Sequence, residues 1–280
     1  MAHFARAASG AVLAAALIAG CDDGQSGIPT ETPKTPVQEH TDNATPPSIT
    51  DAPPTTTSSP VSITVGEVPG NPAAAQALQA WADDVSKGDI AALTDKCWTV
   101  APELVATMYA DVDTIAAVVQ NPGIDGQYAA SWTDGTTRIS AKRGEISSGY
   151  ACPHVYQEGA TSYYTLTDAE HATTRYLSRV AGEPVNEADT ESEYPLVCPG
   201  NSPWDPRSTG AGGEPPLKRD PLTQGDIDSL DPASVQSRSL NDSYAAVTAQ
   251  VETNRSTEEW TAILAIGPDG YCLGEIDTGN

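Results

Sequence analysis

Aromatic side chains are distributed very unevenly along this chain of 280 residues. All five Trp and all ten Tyr lie beyond residue 70, and the single Phe is Phe4. Residues 22–70 instead hold mainly Pro, Thr, Ser, Asp and Glu. A segment without aromatics buries too little apolar surface to offset the entropy lost on ordering. The composition of residues 22–70 therefore predicts a disordered stalk. The remaining residues, about 210, suffice for one large domain or two small ones.

The first 20 residues predict a secretory signal peptide. Arg6 precedes an apolar stretch from Ala7 to Ala19, which is too short to span a membrane and ends in small residues. One interpretation is a plain signal that is cut near Ala19 and leaves Cys21 as a free or paired thiol. Such a signal would be removed on export from the cytoplasm.

The end of this stretch, Ile18-Ala19-Gly20-Cys21, resembles the lipobox of bacterial lipoproteins. The resemblance implies that residues 1–20 are a lipoprotein signal and that the sulfur of Cys21 carries a diacylglyceryl group with fatty acids such as palmitate. Two or three acyl chains hold a protein on a membrane essentially permanently. We therefore expect a lipid-anchored protein on the outer face of the cytoplasmic membrane, with residues 21–70 as its stalk. Arg outnumbers Lys nine to five, a balance typical of high-GC bacteria such as actinobacteria.

The four cysteines beyond the stalk predict disulfide bonds. Four is an even number, which suits an exported domain, and it allows three connectivities. Each half of the globular part shows the order helix, Cys, sheet, Cys. This order favours bonds between Cys97 and Cys152 and between Cys198 and Cys272, each within its own half.

The formal net charge of −24 limits the partners of this chain. Nucleic acids and anionic lipid surfaces need basic patches, so we expect neither as a partner. Gly-x-Ser-x-Gly, Gly-x-Gly-x-x-Gly, Walker and His-Glu-x-x-His sequences are absent from the chain. His154 and His171 lack neighbours at ligand spacing, and no metal or other cofactor is expected.

Hydrophobic periodicity predicts two helix-plus-sheet units, residues 71–160 and 161–280, in the α+β class, with helices on curved antiparallel sheets. In the first unit the pattern predicts helices over about 72–86, 90–97 and 102–120 and strands over 128–133, 136–142 and 145–152. In the second unit it predicts a helix whose capping box is Thr167 and Glu170, then strands over 235–240, 244–252, 259–266 and 271–276. Between them lies a Pro- and Gly-rich loop, residues 199–221, that carries Trp204.

The run from Ala77 to Leu93, with its Lys87-Gly88-Asp89 turn, resembles the opening of the NTF2-like superfamily of cone-shaped α+β proteins. The final hairpin, with Trp260 and the turn Gly267-Pro268-Asp269-Gly270, is similar to the end of that family. The resemblance implies an NTF2-like or cystatin-like fold with a pocket inside the cone.

Enzymes of the NTF2-like superfamily place a carboxylate base and a tyrosine hydroxyl inside the cone. Tyr109, Asp111 and Asp113 are the residues of this chain that fit such a site. The alternative interpretation is that Asp111 and Asp113 face water on the outer side of their helix.

Other residues have two interpretations each. The acidic run 187–193 and the group Asp226, Asp228 and Asp231 lack the spacing of a calcium loop and fit solvated loops better. Trp204 either covers a core or recognises a ligand, and we favour the first. The sequence thus favours a non-enzymatic binding or accessory role in the cell envelope, with an envelope protein or a small ligand as partner. The alternative is a small-molecule enzyme or carrier that uses the cone pocket.

Overall fold

The computed structural model describes residues 62–160 and 163–279. The predicted signal peptide, Cys21 and the stalk as far as residue 61 lie outside the described residues. The described part is α+β, with two four-stranded antiparallel sheets and helices packed against each of them. This confirms the predicted class and the two helix-plus-sheet units.

The first unit begins with four helices, and three of them start at a side-chain cap. Asn71, Asp89 and Asp111 each accept a hydrogen bond from a backbone N–H of the first turn that follows. The helices and strands of this unit are α1 Pro72–Val85, α2 Ile90–Lys96, α3 Pro102–Met108, α4 Val112–Val119, β1 Ile124–Asp125, β2 Ala129–Thr133, β3 Thr137–Lys142, α5 Arg143–Ser148 and β4 His154–Gln157. The strands pair in the order β1-β2-β3-β4.

Strand alternation fills the core of the first unit. Trp132 on β2 pairs with Ile139 on β3, and both side chains are fully buried against the helices. Trp81 of α1 is also fully buried and meets Tyr109 edge to face, with 5.0 Å between the ring centroids. Large aromatic and aliphatic side chains therefore occupy the space between helices and sheet.

The second unit places one long helix on a meander of four strands. Its elements are α6 Leu166–Ala181, α7 Pro216–Arg219, β5 Ser229–Asn241, β6 Tyr244–Glu252, β7 Thr257–Gly267 and β8 Gly270–Asp277. Buried residues of α6, among them Ala172 and Leu177, pack on one face of the sheet, where Val247 and Leu264 lie. The opposite face is covered by the loop that follows Cys198.

Each disulfide bond lies within one unit. Cys97, which follows α2, is bonded to Cys152, and Cys198 is bonded to Cys272 on β8. This is the pairing that the sequence favours. The bonds close loops of 55 and 74 residues, and cross-links over loops of this length stabilise a fold by about 4 kcal/mol each in the chain-entropy view.

The predicted end of the stalk at residue 70 is wrong for residues 62–70. Ile63 and Val68 are buried in the first core, and Trp132 donates its indole hydrogen to the Gly66 carbonyl over 3.0 Å. The side chain of Gln79 binds both the N–H of Val65 and the carbonyl of Ile63. Residues 62–70 contain no aromatic side chain, but the aliphatic side chains of Ile63 and Val68 hold this segment on the unit.

Three local predictions are also wrong. The helix predicted over 102–120 is broken between Met108 and Val112, because Asp111 caps a new helix there. The strand predicted over 145–152 is instead α5, which ends at Gly149 with a positive φ of 83°. The capping box lies two residues earlier than predicted and consists of Thr165 and Asp168.

Gly66 offers a test of the corrected boundary. Its N–H donates to the Val119 carbonyl over 2.7 Å, and a Cβ at this position would overlap the carbonyl group of Asn121. We expect Gly66→Ala to lower the free energy of unfolding by about 2 kcal/mol or more, since the backbone has to shift to relieve this overlap. Urea denaturation of the full chain measures the change.

Gly212→Ala is the matched control, because nothing lies within 4 Å of a Cβ built there. If both variants unfold at the same urea concentration as the native chain, residues 62–70 are not part of the folded unit.

Candidate functional site

Tyr109 is part of the core of the first unit and does not line a cavity among those described. Its side chain is buried in the first core, and its hydroxyl donates to the Pro153 carbonyl over 2.8 Å. Burial raises the pKa of this phenol well above its ordinary value, and Glu145 adds to the effect. The hydroxyl therefore stays protonated. Its hydrogen bond connects the residue that follows α3 to the segment before β4.

Asp111 and Asp113 are exposed and do not share a cavity with Tyr109. Asp111 accepts bonds from both the N–H and the hydroxyl of Thr114, and these bonds lower its pKa. None of the five described cavities is lined by Tyr109, Asp111 or Asp113. The three residues that fit an NTF2-like active site are thus not assembled into one.

Trp204 covers a core, as the sequence favours. The side chain is buried, stands edge to face against Tyr244 at 5.3 Å between the ring centroids, and packs so closely on Gly274 that a Cβ there would overlap the indole. Its neighbours Ala246 and Ile263 lie on the face of the second sheet that is turned away from α6. Gly274 of β8 has no side chain, and this lets the indole approach the strand closely.

The acidic run 187–193 is only partly solvated. Asp189 is 2% exposed and forms ion pairs with both Arg175 and Arg179, while the carboxylate of Glu191 binds the backbone N–H groups of Leu196 and Val197. Within residues 62–160 and 163–279, no three His, Cys, Asp or Glu side chains are grouped to hold a metal ion. In the same part of the chain, none of the helices has the length and apolar character needed to cross a bilayer.

The two units meet through polar and aromatic contacts. His154 of β4 is buried and pairs with Asp168 of α6, with 2.9 Å between Nε2 and Oδ1. Burial alone would raise the pKa of Asp168, but the bonds from His154 and Thr165 outweigh it and lower the pKa. His171, one turn further along α6, donates from Nε2 to the Trp98 carbonyl over 2.8 Å.

A cavity of about 270 Å³ opens at this junction between the units. The first unit contributes side chains from β3, α5 and the segment before β2, and the second contributes α6, the loop before Leu196 and the β7–β8 turn. The lining residues are Thr99, Gln127, Tyr128, Lys142, Arg143, Gly144, Glu145, Arg175, Glu193, Tyr194, Pro195, Leu196, Asp269 and Tyr271. We call this cavity the junction pocket.

Lys142, the last residue of β3, is the most unusual side chain of the junction pocket. Its ammonium group lies 5.0 Å from the centre of the Tyr164 ring, a cation–π contact, and it makes no hydrogen bond or ion pair among the described residues. Burial lowers the pKa of this amine below its ordinary value, although the charges of Glu145, Asp168 and Asp269 oppose the effect. Because Lys142 lines the junction pocket, the donors of its ammonium group are available to a ligand there.

Two further charged groups line the inner part of the junction pocket. Arg175 is 6% exposed; its Nε and Nη2 donate to Asp189 and its guanidinium lies over the Trp98 ring, which leaves Nη1 free within the described residues. Glu145 is also 6% exposed, and its Oε2 accepts the N–H of Cys152. The inner wall thus carries two cations and one anion.

The mouth of the junction pocket is acidic and aromatic. Asp269, in the β7–β8 turn, and Glu193 are both exposed. Burial raises the pKa of Asp269 and the nearby Lys142 ammonium partly offsets this. Tyr128, Tyr194 and Tyr271 supply ring surface between the charged groups. Arg143 also lines the pocket and is exposed, but it is paired with Asp125. The arrangement thus places Lys142 and Arg175 on the inner wall and the carboxylates of Asp269 and Glu193 at the mouth.

Sequence reasoning missed these residues because no local motif contains them. Lys142 and Arg175 are 33 positions apart in the numbering, and they meet only because α6 docks on the first unit. The one available signal was their rarity, since Lys and Arg together number 14 in a chain with 38 acidic residues.

No protein-family model, curated protein or solved structure matches this chain. The resemblances to bacterial lipoproteins and to the NTF2-like superfamily therefore stay predictions. What the protein does has to be inferred from its own residues.

His171 makes the junction sensitive to acid. Burial lowers its pKa below the unfolded value of about 6.5, although the bond to Trp98 opposes this. The unfolded chain therefore takes up a proton first as the pH falls below about 6.5, and stability falls by at most about 1.4 kcal/mol per pH unit. We expect His171→Gln, which keeps a donor for the Trp98 carbonyl, to lose less stability than the native chain between pH 7 and pH 5.

Urea denaturation across this pH range measures both slopes. The lowered pKa of Asp168 acts only at lower pH, below its unfolded value of about 3.9, so it does not contribute to the difference. Equal slopes for the two proteins would show that His171 is not held neutral in the fold.

Proposed function

We propose that this protein is a lipid-anchored, extracytoplasmic binding protein with a non-enzymatic role in the cell envelope. Cys21 would carry the lipid, the segment that follows would act as a tether, and the described globular part would hold a small ligand in the junction pocket. The single observation that carries the binding part is that charged side chains of both units line one cavity, among them Lys142, which makes no hydrogen bond or ion pair within the described residues.

The filled cores support binding at the junction rather than chemistry inside a cone. Trp81 and Trp132 occupy the space between helices and sheet in the first unit, and α6 covers the inner face of the second sheet. The Tyr109 hydroxyl is already bonded to the Pro153 carbonyl. These contacts leave the alternative, an enzyme or carrier with a cone pocket, without an assembled site.

The junction also suits a binding role because its walls are held in place. Arg175 is fixed by Asp189 and by stacking on Trp98, and Glu145 is fixed by the backbone of Cys152, which is in a disulfide bond. Ligand pockets are usually preformed in this way and carry a few oriented polar groups. A rigid wall lowers the entropy cost of binding.

The anchor is tested by replacing Cys21 with Ala in the full chain. We expect the native protein to incorporate labelled palmitate and to sediment with membranes, and the variant to lose the label and to appear in the culture medium. Cys21 is the only thiol near the predicted cleavage point, so the label reports on it directly. A variant that still incorporates palmitate, or a native chain that never does, contradicts the anchor.

Binding at the junction pocket is tested by blocking the pocket. Gly144 lines it, is exposed, and has nothing within 4 Å of a built Cβ, so Gly144→Phe places a ring at the opening without overlap in the core. We expect amino acids, sugars, amines, carboxylates or phosphates that raise the melting temperature of the full chain to lose this effect in Gly144→Phe.

Gly212→Phe, at an open position away from the pocket, should bind like the native chain. Mass spectrometry should recover the bound compound unchanged. A compound that is converted, or one that binds Gly144→Phe as well as the native chain, contradicts non-enzymatic binding in the junction pocket.

A further inference from the structure

The arrangement of charges in the junction pocket points to a ligand class, and this inference rests on the proposed binding function. We propose that the pocket binds a small zwitterion, an amino acid or dipeptide, with its carboxylate toward Lys142 and Arg175 and its ammonium group toward Asp269 and Glu193.

The inner wall attracts a single carboxylate. Within residues 62–160 and 163–279, Lys142 and the Nη1 of Arg175 have no hydrogen-bond partner, whereas the buried carboxylate of Glu145 already accepts the N–H of Cys152. Hydrogen bonds between ionised groups are among the stronger ones, and they gain strength where water is displaced. Burial lowers the pKa of the Lys142 amine, and a carboxylate bound beside it would oppose that effect by stabilising the ammonium form.

The rim attracts a cation. Asp269 makes no hydrogen bond among the described residues and lies in the β7–β8 turn, beside the pocket and within the field of Lys142. Glu193 lies on the same opening and comes from the loop of the second unit. A ligand ammonium group placed between these carboxylates is also held by the faces of neighbouring tyrosines.

The rim and the net charge disfavour polyanions. A phosphate monoester would have to pass Asp269 and Glu193 on a protein with a formal charge of −24. It carries close to two negative charges, whereas the cations of the inner wall are Lys142 and Arg175, and Arg175 is already paired with Asp189. A zwitterion enters without this repulsion, because its net charge is near zero.

The size of the pocket agrees with a small ligand. Its volume of about 270 Å³ lies just below the range of about 300–1,000 Å³ that is usual for drug-sized molecules. Between the charged groups, Tyr194, Leu196 and Tyr271 offer ring and aliphatic surface. We therefore expect an amino acid with an apolar side chain, or a dipeptide of small residues, to fill the pocket.

The test is isothermal titration calorimetry on the full chain in detergent. The probes are the common amino acids and a set of dipeptides, each beside its N-acetyl derivative and its amide, together with inorganic phosphate. We expect at least one free zwitterion to bind, and its N-acetyl and amide forms to bind about tenfold more weakly or worse, since each loses one charged hydrogen bond.

Two substitutions separate the ends of the ligand. Lys142→Met should lower the affinity for the free zwitterion about tenfold or more and should abolish the preference for the zwitterion over its amide. Asp269→Asn should abolish the preference for the zwitterion over its N-acetyl form. Lys218→Met and Asp242→Asn are matched controls, because both residues are exposed and line none of the described cavities. Both controls should bind like the native chain.

The results separate this inference from the proposed function. Suppose that N-acetyl forms, amides or phosphate bind the native chain as tightly as the zwitterion and fail to bind Gly144→Phe. The pocket then binds ligands, but the proposal of a zwitterionic ligand is wrong. That proposal is also wrong if the only compounds that bind in the pocket are neither amino acids nor dipeptides. If no compound of any class binds the native chain, or if binding survives in Gly144→Phe, both the junction pocket and the inference fail.

Discussion

The contact between α6 and the first unit is the constraint on which the rest of this structure depends. Each unit has its own apolar core, closed by its own disulfide bond. What joins the two cores is largely polar: the pair of His154 with Asp168 and the bond from His171 to the Trp98 carbonyl, beside the edge-to-face contact of Trp98 with Tyr194. Polar groups need partners at defined distances and angles, so such a junction fixes orientation more strictly than an apolar surface does.

A polar junction also leaves space. Apolar side chains repack to close gaps, whereas charged side chains that are already bonded cannot move without losing those bonds. Arg175 is bonded to Asp189 and lies over Trp98, so it cannot swing into the pocket to neutralise Glu145. The junction pocket is thus a consequence of how the units are joined, and its charged walls follow from the same contacts.

Much of the fold is predictable from the sequence because local signals there agree with the tertiary contacts. The first helix, the hairpin at Asp134-Gly135 and the last three strands lie close to their predicted places. The failures have physical causes. Asp111 looks like part of a helix until it is seen to cap the next one, and residues 145–152 look like a strand although Gly149 ends a helical turn.

The site was much less predictable than the fold. The residue types of Tyr109 and Asp111 fit a known chemistry, but Tyr109 is packed in a core and Asp111 is an exposed helix cap. Lys142 ends a strand and reads as an ordinary surface residue, since its surroundings come from α6 and the β7–β8 turn far along the chain. A site made by the docking of two units leaves no pattern in either unit alone.

Lys142 differs from most other basic residues of this acidic chain in its lack of a carboxylate partner among the described residues. In a chain with 38 acidic and 14 basic residues, a cation finds a carboxylate partner easily. Arg138, for example, forms a forked pair with Glu158 on the surface of the first sheet. Lys142 lies near Glu145 and Asp269 and still pairs with neither among the described residues, and moving an ammonium group out of water without a partner costs free energy. Because Lys142 has no carboxylate partner among the described residues and lines the junction pocket, a carboxylate from outside the chain can fill that role.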